Sequence, residues 1–280
     1  MKSIQFKRVN CRNCYKCVRN CPVKSIAVKD EQSQIIEDEC ILCGACLTVC
    51  PQNAKSMKTD LALVRSWMED GYRVCLTIAP SYAAALNVPD AGALLPAMKK
   101  LGFLYAEETA RGAALVSREY ARLMQEGRME NIISTCCPTI VSLVEKYYPE
   151  LISCLAPVVS PMVASARGLK EKFGAHTKVV FIGPCLSKHE ECEGFGDHSV
   201  DAVLTFSELA DWMEEESVTF DETAYATGDE EIARARLYPL PGGVIGTIPI
   251  DQRGDYQCVA IDGVLRVAEV LKALKERRSI

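Results

Sequence analysis

Eight cysteines within the first 50 residues constrain this chain more than any other feature. Cys11, Cys14, Cys17 and Cys21 lead into Pro22, and Cys40, Cys43, Cys46 and Cys50 lead into Pro51. Both runs read C-x-x-C-x-x-C-x-x-x-C-P, and each cysteine recurs 29 residues further on, so the segment is an internal repeat. The whole chain has 15 cysteines in 280 residues. A disulfide scaffold of that kind is short and secreted. This chain is long, and Met1-Lys2-Ser3-Ile4-Gln5-Phe6-Lys7-Arg8 has charge but no apolar core, so no secretory leader is expected. The thiols read as metal ligands in a reducing cytoplasm, with a few buried as small hydrophobes.

The spacing matches the bacterial two-cluster ferredoxin pattern and has a mechanical reason. Three thiolates two residues apart wrap one iron–sulfur cubane within a tight loop, and the fourth reaches the other cluster. The first 4Fe-4S cluster is therefore assigned to Cys11, Cys14, Cys17 and Cys50, and the second to Cys40, Cys43, Cys46 and Cys21. Zinc is the competing reading, but zinc sites favour separated C-x-x-C pairs over proline-terminated runs of four. Pro22 and Pro51 start the outgoing turns, and Gly44 lets backbone approach the second cluster. Between the runs, Ile26-Ala27-Val28 and Gln34-Ile35-Ile36 flank a polar stretch and predict a hairpin. Residues 1–29 carry Lys2, Lys7, Arg8, Arg12, Lys16, Arg19, Lys24 and Lys29 with no acid. That stretch is either a solvated face or a docking surface for an acidic electron-transfer protein or other redox partner.

The remainder alternates short β-branched runs with helical patterns, which predicts an α/β domain with largely parallel sheets. Asp60 to Tyr72 reads as a connecting helix with Asp60 as N-cap and Gly71 as its stop. Strands are predicted at Arg73–Ala79, Asn131–Cys136, Thr177–Ile182, Ala202–Phe206 and Gln257–Ile261. Helices are predicted at 91–101, 110–126, 139–147, 161–173, 207–216 and 264–277. The division expected is an α+β ferredoxin-like domain at 1–59 and an α/β domain at 60–280. No run approaches the length of a membrane helix, and the net charge of −5 does not suggest nucleic acid.

Seven cysteines remain. Cys75 and Cys258 sit in apolar runs and read as buried, as does Cys154, while Cys192 lies in an acidic stretch and is a candidate for exposure. Cys136-Cys137-Pro138 and Gly183-Pro184-Cys185 each end a predicted strand, where α/β folds bind ligands. These two loops either share a cofactor or carry buried thiols. Ten acids and no Lys or Arg lie between Glu208 and Glu231, which reads as a solvated face or a docking surface. His176, His189 and His198 read as bystanders, with His189 beside Lys188 the one exception worth testing. Trp67 and Trp212 read as core.

At this point the residues resemble the iron-only (FeFe) hydrogenases. Ser134-Thr135-Cys136-Cys137-Pro138 is similar to the family's T-S-C-C-P, and Gly183-Pro184-Cys185-Leu186-Ser187-Lys188-His189-Glu190-Glu191 to its M-P-C-x-x-K-x-x-E. Ala79-Pro80-Ser81 and Tyr238-Pro239-Leu240-Pro241-Gly242-Gly243-Val244 resemble two cavity-lining segments. The wording around Cys136 and at Ser160-Pro161-Met162 looks closest to the sensory-type branch. The resemblance implies an H-cluster, a 4Fe-4S cubane bridged to a diiron unit. Cys137 and Cys185 would ligate its cubane, Cys136 would relay protons, and Lys188 would donate to a cyanide ligand. Pro80, Ser81, Gly242 and Gly243 would line the pocket.

Several positions depart from the family. Its third motif, C-x-x-x-C, does not occur after Cys185, so the α/β domain is expected to stop before the last cysteine motif. Gly183 replaces a methionine, Met162 a glutamine, and the glutamate pair of the proton path falls on Val116 and Glu119. The expected function is electron transfer through two 4Fe-4S clusters to or from an H-cluster-type site, with hydrogen and protons as substrates or hydrogen as the signal. That H-cluster needs its missing motif from elsewhere, such as a second chain; an added signalling domain is the other expected partner. The alternatives are an electron-transfer protein with an inactive hydrogenase domain and an iron–sulfur assembly scaffold.

Overall fold

The structure is a computed structural model that describes residues 4–6, 10–88, 91–195, 198–220 and 229–276. Lys2, Lys7 and Arg8 of the basic stretch and Asp221 and Glu222 of the acidic one lie outside these residues. The N-terminal part runs β1 (Ile4–Phe6), α1 (Lys16–Asn20), β2 (Ile26–Lys29), β3 (Gln32–Ile35), α2 (Ala45–Thr48) and β4 (Lys55–Met57). β2 and β3 form the expected hairpin, closed by Asp30 and Glu31 at φ 49° and 55°. Two left-handed residues in a two-residue loop match the twist of the strands they join. β1 pairs antiparallel with β4 and ties the two ends of the unit together.

The second part begins with α3 (Leu61–Glu69), β5 (Val74–Ile78), α4 (Tyr82–Ala85), α5 (Leu94–Lys100), β6 (Tyr105–Glu108), α6 (Ala110–Glu126), α7 (Pro138–Tyr147) and α8 (Pro161–Phe173). It continues through β7 (Lys178–Ile182), α9 (Ser187–Glu190), β8 (Ala202–Leu204), α10 (Phe206–Glu215), α11 (Glu230–Ala235), α12 (Gly243–Thr247) and α13 (Val264–Lys275). Four strands make one parallel sheet in the order β6-β5-β7-β8. Every residue of β5 is buried, as expected of a parallel strand covered on both faces, and its one polar side chain, Thr77, is satisfied by the Thr109 hydroxyl at 2.8 Å. Helices α3, α5, α8 and α10 cover the sheet with Val64, Met98, Leu169, Leu209 and Trp212. No helix among the described residues is long and apolar enough to cross a membrane.

Two predicted strands do not form. Within Asn131–Cys136 only Ile133 makes a single bridge, to Leu155, and Gln257–Ile261 is irregular, leaving Cys258 half-buried rather than in a core strand. Cys75 is buried as expected, Cys154 only partly so, and Cys192 is half-buried with its thiol on the Val200 carbonyl at 3.3 Å. Asp60 occupies the N-cap position of α3 but does not cap it with its side chain. Its carboxylate instead accepts from the Val203 N–H at 3.2 Å, anchoring the helix to β8, while Thr59 accepts from Leu61 N. Three strands were not predicted: the short β1 and β4, and β6, whose Tyr-Ala-Glu-Glu sequence has one buried apolar residue. Its Glu108 is paired with Arg236 at 2.7 Å and accepts a hydrogen bond from the Tyr82 hydroxyl at 2.9 Å.

Its neighbour Glu107 is less well compensated. Burial outweighs Arg111 and Lys172 and pushes its carboxyl from 4.5 up to about 7. The folded state therefore holds a proton between those values that the unfolded state has lost, so stability falls as pH rises through that window and stays lower above it. That shift corresponds to a penalty on the order of 3 kcal/mol once the group is ionised. Glu107→Gln should raise the anaerobic thermal midpoint at pH 8 and leave it nearly unchanged at pH 4.

Candidate metal centre

The two cysteine loops share an unusual backbone. Asn13, Tyr15 and Lys24 take positive φ of 54°, 54° and 59°, and the residues 29 positions on, Leu42, Gly44 and Asn53, take 52°, 79° and 48°. Left-handed conformation costs a non-glycine residue roughly 1–2 kcal/mol. Repeating it at matching places shows that both loops are wound to one shape. Such turns aim successive N–H groups inward. Leu42 N reaches Cys40 Sγ and Ala54 N reaches Cys50 Sγ, both at 3.4 Å.

The loops enclose two cavities, and each takes its fourth sulfur from the other run. One is lined by Cys11, Cys14, Cys17 and Cys50. The other is lined by Cys40, Cys43, Cys46 and Cys21. The two differ electrostatically. Cys14 lies at the open end, where the Lys16 backbone N–H lowers its thiol pKa. Burial raises Cys40 and Cys43 and pushes Cys46 up to about 12. A cation-rich cluster exchanges such protons for iron, so thiols that stay neutral alone become ligands on loading. The donor set fits a cubane in each cavity: thiols on several sides, and N–H groups turned to sulfur. Lys16 lines the open cavity and Arg19 donates to the Cys14 carbonyl at 3.1 Å, and both are exposed, as are Arg12 and Lys24 in the same segment.

The inner cavity is docked on the α/β unit. Ile41, 1% exposed, packs with Leu143, Val144 and Leu151. Lys146 donates to the Cys40 carbonyl and the Tyr147 hydroxyl to the Glu39 carbonyl, both at 2.7 Å. Leu186 lies on Gly44: a Cβ there would stand 2.7 Å from Leu186 Cδ1. The residue after Cys185 thus rests directly on the second cysteine loop.

The structure brings together the loops predicted to carry a second centre. Parallel pairing of Ile78 with Ile182 brings Ala79-Pro80-Ser81 beside Gly183-Pro184-Cys185 at the carboxyl edge of the sheet, and Ala79 N bonds the Ile182 carbonyl at 2.8 Å. Cys137 is the N-cap of α7 with Pro138 at the first helical position. Cys185 lies near enough to Cys137 to act on it electrostatically. Cys137 is exposed yet recessed, and the surrounding protein raises its thiol pKa. Cys185 Sγ lies 3.1 Å from Ser187 Oγ. Lys188 is buried and bridges the loops, donating to the Cys136 carbonyl at 3.3 Å and pairing with Glu191. The lysine is thus already partnered by a carboxylate of its own motif.

Cys136 faces away from solvent into a hydroxyl cluster. Its sulfur is 3.9 Å from the Tyr120 hydroxyl, which also meets Ser134 Oγ, Thr135 Oγ1 and Thr135 N. Burial raises the pKa values of Cys136, Tyr120 and Tyr238, so each holds its proton. Tyr238 bonds Ser117 at 3.0 Å, and Ser117 bonds Thr247 at 2.6 Å. Tyr120 and Ser117 were not singled out from sequence, whereas Glu191 was quoted only as the last residue of the Cys185 motif. Ser117 and Tyr120 stand three residues apart on the buried face of α6, a pairing that the helical period alone would have exposed.

Other predicted residues sit elsewhere. Gly242 caps α12 at φ 78°, and Gly243 is buried against its own loop, where a Cβ would overlap the Leu237 carbonyl oxygen. The adjoining Val244 and Tyr238 pack in the same cluster as Cys136. Val116 is buried and apolar, while Glu119 turns outward to Arg122. His189 is buried beside Asp60, not beside the thiols, and burial lowers its pKa. Cys192, pushed up to about 12 by burial, and Cys258, near the Tyr256 carbonyl, do not join Cys137 and Cys185.

A family model described as the iron only hydrogenase large subunit, C-terminal domain, matches residues 72–276, and one described as a 4Fe-4S dicluster domain matches residues 3–55. The chain is 27% identical to iron hydrogenase 1 of Clostridium pasteurianum over 87% of its own length and 50% of the relative's. It is 27% identical to the periplasmic Fe hydrogenase large subunit of Nitratidesulfovibrio vulgaris over 86% and 66% of the two chains. It is 26% identical to the cytosolic Fe-S cluster assembly factor NAR1 of Vanderwaltozyma polyspora over 74% and 41%. The chain thus spans about half the length of the curated relatives it matches.

Two glycines of α12 separate packing from flexibility. Gly243→Ala must move backbone and should cost about 1–3 kcal/mol, as overpacking does. Gly246→Ala meets nothing within 4 Å and should be neutral or stabilising. Equal effects in urea unfolding would refute this reading of the loop.

Proposed function

Because the chain belongs to the iron-only hydrogenase family and carries a 4Fe-4S dicluster domain, we infer that it passes single electrons through two cubanes to or from a site at Cys137 and Cys185. The observation that carries this reading is the sorting of eight thiols into two cavities with exchanged fourth members. One cubane is assigned to Cys11, Cys14, Cys17 and Cys50, the other to Cys40, Cys43, Cys46 and Cys21. The inner one abuts Leu186, next to Cys185. The open one faces exposed basic residues suited to an acidic electron carrier.

An H-cluster, when bound, supplies the interconversion of protons and electrons with hydrogen. The chain's own residues have separate tasks around it. Cys137 and Cys185 hold the cubane, with further donors required to complete its ligand set. Lys188, steadied by Glu191, presents an ammonium to an anionic ligand. Cys136 keeps a proton at its sulfur, in line with Tyr120. Pro80 and Ser81 stand beside the Cys185 loop as one wall of the site, while Gly242 and Gly243 hold the turn that brings Tyr238 and Val244 against Cys136. Reducing cytoplasm suits so many thiols.

Two observations favour slower chemistry. Val116 offers no proton where the resemblance expects an acid, which favours hydrogen sensing or an electron-transfer protein with an inactive hydrogenase domain. Likeness to an assembly factor favours a scaffold role.

Anaerobic reconstitution should yield about eight irons from the two tetrads. Further iron should appear after maturation and vanish in Cys137→Ala/Cys185→Ala, and infrared spectra should show metal-bound CO and cyanide bands. No excess iron and no bands would restrict the protein to electron transfer. Cluster hand-over to an apo-protein, with no hydrogen uptake, would select the scaffold.

A further inference from the structure

The 29-residue repeat makes each position of one cysteine loop comparable with a position of the other. At one such pair the chemistry breaks. Ile26, 6% exposed, lies in the apolar cluster with Cys17, Cys21 and Cys46 and lines the inner cavity. Its counterpart 29 residues on is Lys55, equally buried at 7% exposed, lining the open cavity. Lysine is almost never buried without a partner. Here its Nζ donates to Cys17 Sγ at 3.4 Å and to Ser33 Oγ at 3.1 Å. Its charge also reaches Cys46. The inner cavity has a neutral counterpart: Cys21 Sγ lies 3.4 Å from Ser25 Oγ. Lys146 does approach the inner loop, but it is solvent-exposed and contacts a carbonyl, so water and salt screen it.

We propose that Lys55 is a positioning residue that sets the two cubanes at different reduction potentials, raising that of the cluster held by Cys11, Cys14, Cys17 and Cys50. This rests on that ligand assignment. A cubane gains one negative charge on reduction, with no bond made or broken. A cation held in low dielectric against one of its thiolates stabilises the reduced form, and a hydrogen bond to sulfur acts in the same direction. The open cluster then becomes the resting place of an electron delivered by a carrier. The inner cluster, with isoleucine in the equivalent place, stays the stronger reductant toward the Cys185 loop.

The test is an anaerobic redox titration of the full chain, followed by electron paramagnetic resonance, with dithionite as reductant. Cys14→Ser identifies the signal of the open cluster. Lys55→Ile and Lys55→Met should shift that cluster's reduction equilibrium about tenfold toward the oxidised form, about 59 mV for one electron. The inner cluster should shift less, Lys55→Arg should keep most of the wild-type value, and iron and sulfide contents should not change. Unchanged potentials, equal shifts in both clusters, or a fall in Lys55→Arg matching that of Lys55→Met would overturn the proposal. Loss of iron from both apolar variants would also overturn it, because Lys55 would then hold the cluster together and not tune it. Wild-type protein that saturates at one cubane's worth of sulfide would overturn the ligand assignment itself, a result distinct from any of these.

Discussion

The joint between the two halves of the molecule depends on Gly44 having no side chain. Gly44 and Tyr15 are equivalent residues of the repeat and share a left-handed backbone. Tyr15 carries its ring outward, half-exposed; Gly44 leaves its place free, and Leu186 fills it. The same face of the loop gives Ile41 to the apolar cluster of α7 and receives two hydrogen bonds on the Glu39 and Cys40 carbonyls. Backbone held on its carbonyl side keeps the neighbouring thiols in place. One loop of two nearly identical ones is therefore committed to the α/β unit, and the other is left to solvent.

That asymmetry decides which parts were legible in the sequence. The cysteine loops were, because their shape follows from local spacing and turn chemistry. So were the Pro184-Cys185 segment after β7 and the Cys137-Pro138 start of α7, where a proline fixes the turn next to the thiol. β6 was not, because its two glutamates look like surface residues until Arg236 arrives from 128 positions away. The run 131–136 has the composition of a strand but finds only Leu155 beside it, so a single bridge forms. Gln257–Ile261 fails for the same reason: β-propensity needs a neighbouring strand to act upon. The candidate site was legible in its thiols, its lysine and the motif that ends at Glu191, but not in Tyr120 and Ser117. Their partners, Ser134, Thr135, Tyr238 and Thr247, come from other segments, so only the fold shows what they hold.

Polar burial is concentrated where loops meet. Glu108, Arg236 and Tyr82 tie α11 to the edge of the sheet. Asp201 accepts from Lys170 at 2.9 Å and Lys178 at 3.1 Å, pinning α8 and β7 to the strand that follows. Such pairs add little net stability over apolar packing, since desolvation offsets the attraction. What they supply is uniqueness of arrangement, because a misplaced loop would strand a charge.

The same reasoning applies with more force to Lys188. Its ammonium sits on the Cys136 carbonyl and on Glu191, three residues further along the same chain. The pair fixes α9, and with it the direction in which Cys185 points. The carbonyl contact fixes the loop that carries Cys136 and Cys137. One buried cation therefore holds both sulfur-bearing loops, and Glu191 exists to make its burial tolerable. Had the site been only a packing feature, an apolar residue at 188 would have joined the loops at lower cost. A charge retained here, where it must be compensated by a second charge, fits the proposed role of an ammonium offered to an anionic group held by Cys137 and Cys185. In that reading the support role keeps the ammonium in place before any ligand binds, because Glu191 and the Cys136 carbonyl already hold it.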